Sequence, residues 1–233
     1  ASASDDPGIV AWGRAYDARQ ALEKAIGELA ERIAARTAIQ VVDAKAADLP
    51  NHVQPDSLVL YSPNQYANQA LNVKRFDPAH PLGWVEGREW PGGDATWLPA
   101  DCVLARSELP IVRGAPGLMR LTSSGCASDA CLETALERAA YELIERDAFA
   151  RHWLSQTAAI RIDTSSLPSR IQWRIKDLEQ AGCETFALCT KLGLGPSVLV
   201  LIRHLRFGFT CAGSASGSDA ARSPALASSA QRV

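Results

Sequence analysis

No two of the six cysteines stand at C-x-x-C spacing; the nearest neighbours, Cys126/Cys131 and Cys183/Cys189, are five and six positions apart. The four histidines (His52, His80, His152, His204) are equally scattered. That spacing gives no support to a structural zinc site and reads as buried or half-buried thiols in a reducing cytosol. Neither glycine-rich phosphate motif is present, G-x-x-x-x-G-K-S/T or G-x-G-x-x-G. No run of about 18 apolar residues exists, so no transmembrane helix is expected. The start, ASASDDPG, lacks a basic region and an apolar region, so no signal peptide is expected and the chain reads as cytoplasmic. An excess of basic charge is also missing: 24 basic minus 26 acidic residues gives −2. This argues against a nucleic-acid binder. What is present is 233 residues, 47% of them hydrophobic. That is enough for one large or two small domains whose core needs no disulfides.

Residues 1–9 are small and polar and read as a flexible N-terminus. The run 17–36 has helical period, with Ala18, Ala21, Leu22, Ala25, Ile26, Leu29 and Ile33 on an apolar stripe and Asp17 as N-cap. Short strands are expected at 39–43 and 58–62. Residues 63–94 carry Asn64, Pro78, Pro81, Pro91, Gly92 and Gly93 and read as irregular, with Trp84, Trp90 and Trp97 forming a packed loop layer or an interface. ATWLPADCVL suggests a strand, a Pro turn and a further strand or turn. The stretch 121–130 is small and polar and leads into a helix of about 131–156, with apolar Leu132, Ala135, Leu136, Ala139, Leu143, Ile144, Phe149 and Trp153. Then come a strand at 160–162, a helix at 168–180, and strands at 184–189 and 197–202. This β-α-β-β order suits an α+β layer. The Ala/Ser-rich tail, 212–233, reads as a loop or a poorly formed helix.

Both long helices carry E-x-x-E-R: Glu28, Glu31 and Arg32 in the first, Glu142, Glu145 and Arg146 in the second. A spacing of three puts each pair of carboxylates on one face. Two readings stay open. The faces are solvated and carry Glu–Arg pairs, or the helices meet and four hard oxygen ligands hold Mg²⁺ against their mutual repulsion. The stretch TSSGCASDA, 122–130, is likewise either a cap and a turn or a set of N–H and hydroxyl donors suited to phosphate.

The segment TSSGCASDACLETALERAAYELIERDAFARHW closely resembles the central motif of the YcaO family, roughly T-S-N-G-x-A-x-G, a spacer, E-x-A, then E-L-I-E-R-D-A. Upstream, G-R-A with Ala21, Ala25, Glu28, Glu31 and Arg32 resembles the family's G-K-G…A…A…E-x-x-E-R element. Between them, Q-Y, F-D-P, W-V-x-G and L-P-A follow the order of azoline-forming members, with Leu98 for the usual Val. The resemblance covers about residues 10–210. It implies an α+β, YcaO-like ATP-binding fold, with mixed or antiparallel sheets packed against helices. It implies that Glu28, Glu31, Glu142 and Glu145 hold Mg²⁺ beneath the phosphates of ATP, that Arg146 and Arg14 lie on the phosphate side, and that Ser123, Ser124 and Gly125 form the nucleotide-side loop. The activity implied is phosphorylation of a peptide backbone amide. A neighbouring Cys, Ser or Thr then closes to a thiazoline or oxazoline in a ribosomally made precursor peptide. A leader-peptide-binding partner protein is implied, with a homodimer as a further arrangement. Related members direct the same amide activation to thioamides or amidines.

Several positions depart from the family pattern. Arg14 stands for Lys, and a planar fork does not replace a point charge at a phosphate. Ser124 stands for Asn, Asp129 for Gly, Lys24 for Ser, and Arg138 for His or Gln. A carboxylate at Asp129 is expected to repel phosphate unless it caps the helix or binds the ion. Residues 212–233 only echo the family's continuation, and Pro224 interrupts its helical pattern. The expectation is therefore a partial YcaO domain over 10–211 with a degenerate tail, C-terminally truncated or degenerate, either active with a partner or retained for binding or scaffolding.

Overall fold

The computed structural model describes residues 10–34, 40–58, 61–104, 117–120, 122–190, 194–195 and 197–217. The chain divides into two compact units, residues 1–30 with 124–233, and residues 31–123. No described helix is long and apolar enough to cross a membrane.

Helix α1 runs Ala18–Ala34. It starts where expected, because the Asp17 carboxylate accepts the Gln20 N–H at 2.9 Å and satisfies one of the first-turn donors. Only part of the apolar stripe packs, namely Ala21, Ala25 and Leu29. None of its residues is fully buried, and Leu22, Ile26 and Ile33 are exposed. Between residues 18 and 30 of this helix the half-buried positions are Ala21, Ala25, Gly27, Glu28 and Leu29. Small side chains on that face let another segment of backbone come close.

The second unit holds a three-stranded antiparallel sheet of order β1-β2-β3, with β1 Val42–Ala44, β2 Leu82–Arg88 and β3 Ala95–Pro99. Val85, Ala100 and Leu104 form its core, with Val41, Leu98 and Val103 packed against them. Strand β2 falls in a stretch expected to be irregular. The residues read as breakers, Pro78, Pro81, Pro91, Gly92 and Gly93, flank it, and within it Gly87 lies so close to Leu98 that a Cβ there would come within 2.8 Å of the leucine side chain. Trp84 is fully buried and donates from Nε1 to the Ala44 carbonyl at 2.9 Å, whereas Trp90 is exposed. The tryptophans thus fall on both sides of the expectation: Trp84 is sheet core. The strand expected at 58–62 is not found in its described part. Leu58 ends the short helix α2 (Pro55–Leu58), and Ser62 caps α3 (Pro63–Ala67) in a reciprocal pair with Gln65; residues 59–60 lie outside the described residues.

The first unit is built on helix α4 (Leu132–Ser155), helix α5 (Ser169–Gln180) and a four-stranded antiparallel sheet of order β4-β5-β6-β7. Strands β4 (Ile160–Arg161), β5 (Cys183–Thr190) and β6 (Ser197–His204) fall close to expectation. Helix α5 covers one sheet face, with Leu178 and Val198 packed on Cys183, Val200 and Ile202. Helix α4 lies against β7, β6 and β5. Strand β7, Thr210–Ser216, enters the stretch read as a tail: residues 212–216 are paired in register with β6, from Leu201↔Ala212 to Ser197↔Ser216. Small Ala and Ser side chains made it look unstructured. An edge strand against a helix tolerates them, because close approach replaces bulk. Residues 218–233 lie outside the described residues.

Candidate functional site

The carboxylates singled out in the first unit lie on its two long helices. Glu142 and Glu145 share one face of α4, and that face turns inward: Glu145 is only 4% exposed and Ala148 is fully buried. The expected large apolar residues Leu132, Leu143, Phe149 and Trp153 are exposed instead. A helix whose buried stripe includes a glutamate must supply that group with partners, because a desolvated charge is otherwise costly. Ser214 on β7 does so, donating its hydroxyl to Glu145 Oε1 at 2.6 Å.

Glu142 is held from two sides. The Gly125 N–H donates to its Oε2 at 3.2 Å, and Arg146, one turn on, donates to its Oε1 at 3.2 Å. Gly125 has φ +85°, and a Cβ there would meet Leu143 at 3.1 Å. Backbone freedom and close approach both require glycine here. On α1, Glu28 accepts the Trp12 N–H at 2.6 Å. The segment carrying Trp12, Gly13 and Arg14 lies directly on the helix: a Cβ on Gly13 would fall 1.8 Å from the Ala21 carbonyl oxygen. Lys24 donates from Nζ to the Arg14 carbonyl at 3.1 Å, while the Arg14 side chain is exposed. The small-polar loop is tied to both helices. Besides the Gly125–Glu142 bond, Ser128 donates its hydroxyl to the Gly27 carbonyl of α1 at 2.7 Å.

In the first unit the loop is thus bonded to the backbone of α1 beside Glu28 and to Glu142 on α4, while Glu145, three residues on, is bonded to β7. Glu31 lies one turn beyond Glu28 on α1 and is half-buried; Ser124 is half-buried and Ser123 exposed. Arg146 is committed to Glu142. The positions Trp12, Ser128 and Ser214 were not singled out in the sequence. Ser128 falls within the small-polar stretch, but Trp12 acts through its backbone and Ser214 through strand pairing, so neither leaves a local signature. Asp129 does not cap α4; its carboxylate accepts the Ala130 N–H at 2.6 Å and pairs with Arg138 at 2.8 Å.

Among the described residues, no group of three or more His, Cys, Asp or Glu side chains converges closely enough to hold a metal by itself. The donors are hard oxygens arranged in pairs. That chemistry fits Mg²⁺ completed by water and phosphate oxygens, and does not fit an all-protein cage. A nucleophilic thiol is not indicated at Cys102, where burial, and then the Asp101 charge, push the pKa up to about 11.

Antiparallel sheets packed against helices define an α+β fold, in which a small-polar loop is hydrogen-bonded to both carboxylate-bearing helices. The family described as YcaO cyclodehydratase, ATP- and Mg²⁺-binding, matches residues 12–230, and the chain belongs to it. The solved structures agree on the fold. A heterocyclase in complex with substrate and cofactor superposes with a TM-score of 0.82 at 20% identity, covering 95% of this chain and 31% of that one. YcaO from Methanopyrus kandleri bound with AMPPCP and Mg²⁺ gives 0.65 at 16% identity, covering 94% and 52%. The E. coli microcin synthetase McbBCD complex with pro-MccB17 bound gives 0.66 at 16% identity, covering 94% and 56%. The chain thus spans about a third to a little over half of the length of these structures. No curated protein matches its sequence.

Proposed function

We propose that this chain binds MgATP and activates a peptide backbone amide for cyclodehydration, closing a Cys, Ser or Thr side chain to a thiazoline or oxazoline. The observation that carries the reading is the bonding of the small-polar loop to both acidic helices, through Ser128 to Gly27 and Gly125 to Glu142. Each of these bonds ties the loop to a helix that carries a carboxylate pair, which supports the reading in a YcaO-family chain. Glu28, Glu31, Glu142 and Glu145 would hold Mg²⁺. Arg14, Ser123, Ser124, Gly125 and Arg146 would face the phosphates. Bound MgATP supplies the phosphoryl group that turns an amide oxygen, otherwise a poor leaving group, into a good one.

The chain's own groups then have separable tasks. The Gly125 N–H and the Arg146 guanidinium are donors that an anion would share with Glu142. The Glu28 and Glu145 carboxylates are pre-oriented by Trp12 and Ser214, so little ordering remains when a cation arrives. The precursor peptide and a leader-peptide-binding partner are proposed by analogy with the complexes above, which contain a substrate and pro-MccB17. A binding or scaffolding domain with little turnover is a second reading. The exposed arginine at position 14, in place of the family's lysine, favours it.

The deciding experiment is phosphate release from ATP, with and without candidate peptide and partner, for the chain and for Glu142→Gln and Glu145→Gln. A peptide-stimulated rate that falls on the order of 100-fold in either variant is expected. MgATP binding without peptide-stimulated release, under any partner combination, would favour the scaffolding reading. Product mass separates an azoline, which loses water, from a thioamide, in which sulfur replaces oxygen; an amidine closed by an amine of the same peptide also loses water and is told apart by fragmentation.

A further inference from the structure

Asp129 and Arg138 both depart from the family pattern, and they contact each other. The Asp129 side chain is 17% exposed, whereas that of Arg138 is 65% exposed. One carboxylate oxygen of Asp129 accepts the Ala130 N–H, and the other pairs with Arg138 Nε. The preceding residue is fastened by Ser128 to Gly27, which limits how far the carboxylate can swing away. Arg138 lies seven residues into α4, about 10 Å along its axis. It reaches back because helical side chains lean towards the N-terminus. The positions 138, 142 and 146 form a single i, i+4, i+8 row on α4, reading Arg, Glu, Arg. Two carboxylates at the loop, Asp129 and Glu142, are thereby matched by two guanidiniums, Arg138 and Arg146.

We propose that Arg138 is a positioning residue for phosphate: by neutralising Asp129 it keeps the loop before α4 receptive to an anion. The inference rests on the proposed nucleotide side at Ser123–Gly125. A triphosphate carries several negative charges, and a half-buried carboxylate four residues from Gly125 repels it unless a cation is fixed beside it. Arg138 does not touch the phosphate in this scheme. It cancels a field. The two departures are then a compensated pair, and Asp129 does not disable the loop.

The test is calorimetric binding of MgATP and of Mg-tripolyphosphate to the full chain, for the wild type, Arg138→Gln, Asp129→Asn and the double variant, at low and high salt. Arg138→Gln should weaken both ligands by roughly 3- to 10-fold at low salt, and the loss should shrink as salt screens the charge. Asp129→Asn in the same chain should restore wild-type affinity, because it removes the charge Arg138 serves to cancel. The melting temperature should move little, since exposed ion pairs add little stability. Unrescued loss in the double variant would mean that Arg138 props the loop mechanically, and would overturn the proposal. Unchanged affinity in Arg138→Gln would overturn it as well. If the wild type binds neither ligand, the nucleotide reading itself fails, and this inference falls with it.

Discussion

Single atoms decide much of this site. Gly13 is the clearest case, because its missing side chain is what lets the 10–15 segment lie on α1. A Cβ would fall 1.8 Å from the Ala21 carbonyl oxygen and 2.6 Å from the Ala25 nitrogen, and backbone cannot rotate aside as a side chain can. Gly13→Ala should therefore cost at least ~2 kcal/mol, by analogy with overpacked cores, and should release the Trp12 N–H from Glu28. Thermal unfolding and MgATP titration of the variant check this; a wild-type melting curve would mean the segment does not pack on the helix. Gly125 is demanded for a second reason as well, a φ of +85° that side-chain-bearing residues avoid. The Glu142 carboxylate, in turn, draws its orientation from one backbone donor and one guanidinium, so its charge is compensated before any ligand is considered.

At the scale of elements, the two faces of the second sheet do different things. The face under α5 is apolar and contains a cavity lined by Leu167, Ile171, Ile175, Leu178, Val200 and Ile202. Thr185 lies in the same lining, and its buried hydroxyl has no hydrogen-bond partner among the described residues. Thr185→Val keeps the shape and removes the unsatisfied group, so it should raise stability by about 1 kcal/mol. Urea unfolding midpoints measure it; a lower midpoint would reveal a partner for the hydroxyl. The opposite face, towards α4, carries polar contacts. Alternation along β7 puts Ser214 on the other side from Gly213 and Ala215, and so against Glu145. The hairpin joining β6 to β7 is closed by His204, whose Nδ1 accepts the N–H groups of Arg206 and Phe207 at 3.2 Å each, and by Gly208 at φ +71°. These turn contacts help define the approach into β7, the strand that supplies Ser214.

For the whole molecule, ligand linkage gives the broadest check. A ligand that binds only the folded chain stabilises it by mass action, about 2.7 kcal/mol at a hundredfold excess over Kd. For a chain of this size that corresponds to a rise of about 5–10 °C in Tm. MgATP should produce such a shift, Glu142→Gln should remove most of it, and Mg²⁺ or ATP alone should give less. No shift at saturating MgATP would contradict the nucleotide reading. The family match extends to residue 230, and β7 shows that residues 212–216, read from the sequence as loop or poor helix, take part in the sheet.

The helical spans were legible because period and caps are local: Asp17 at α1, the small-polar lead-in to α4, and the break after Gln180 all act over a few residues. The E-x-x-E pairs were legible for the same reason, since a spacing of three fixes a shared face whatever surrounds it. Strands β2 and β7 were not legible. β7, TCAGSAS, is made of small residues with little strand signal, and the Trp84–Val85 pair of β2 sits between glycines in a proline-rich stretch; each strand also meets an element distant in sequence, β1 for β2 and α4 for β7. Nor could periodicity tell which helix face would be buried. In α1 and α4 most of the larger apolar residues are exposed, and the packed faces carry small residues and carboxylates beside the half-buried Leu29, Leu136 and Ile144. The sequence by itself thus determined on which helices the paired carboxylates stand and that each pair shares a face. Only the tertiary structure decided that Glu145 is buried against Ser214, that Gly125 reaches Glu142, and that Asp129 is answered by Arg138. Those outcomes depend on desolvation and close approach between segments far apart in the chain, and local spacing does not encode them.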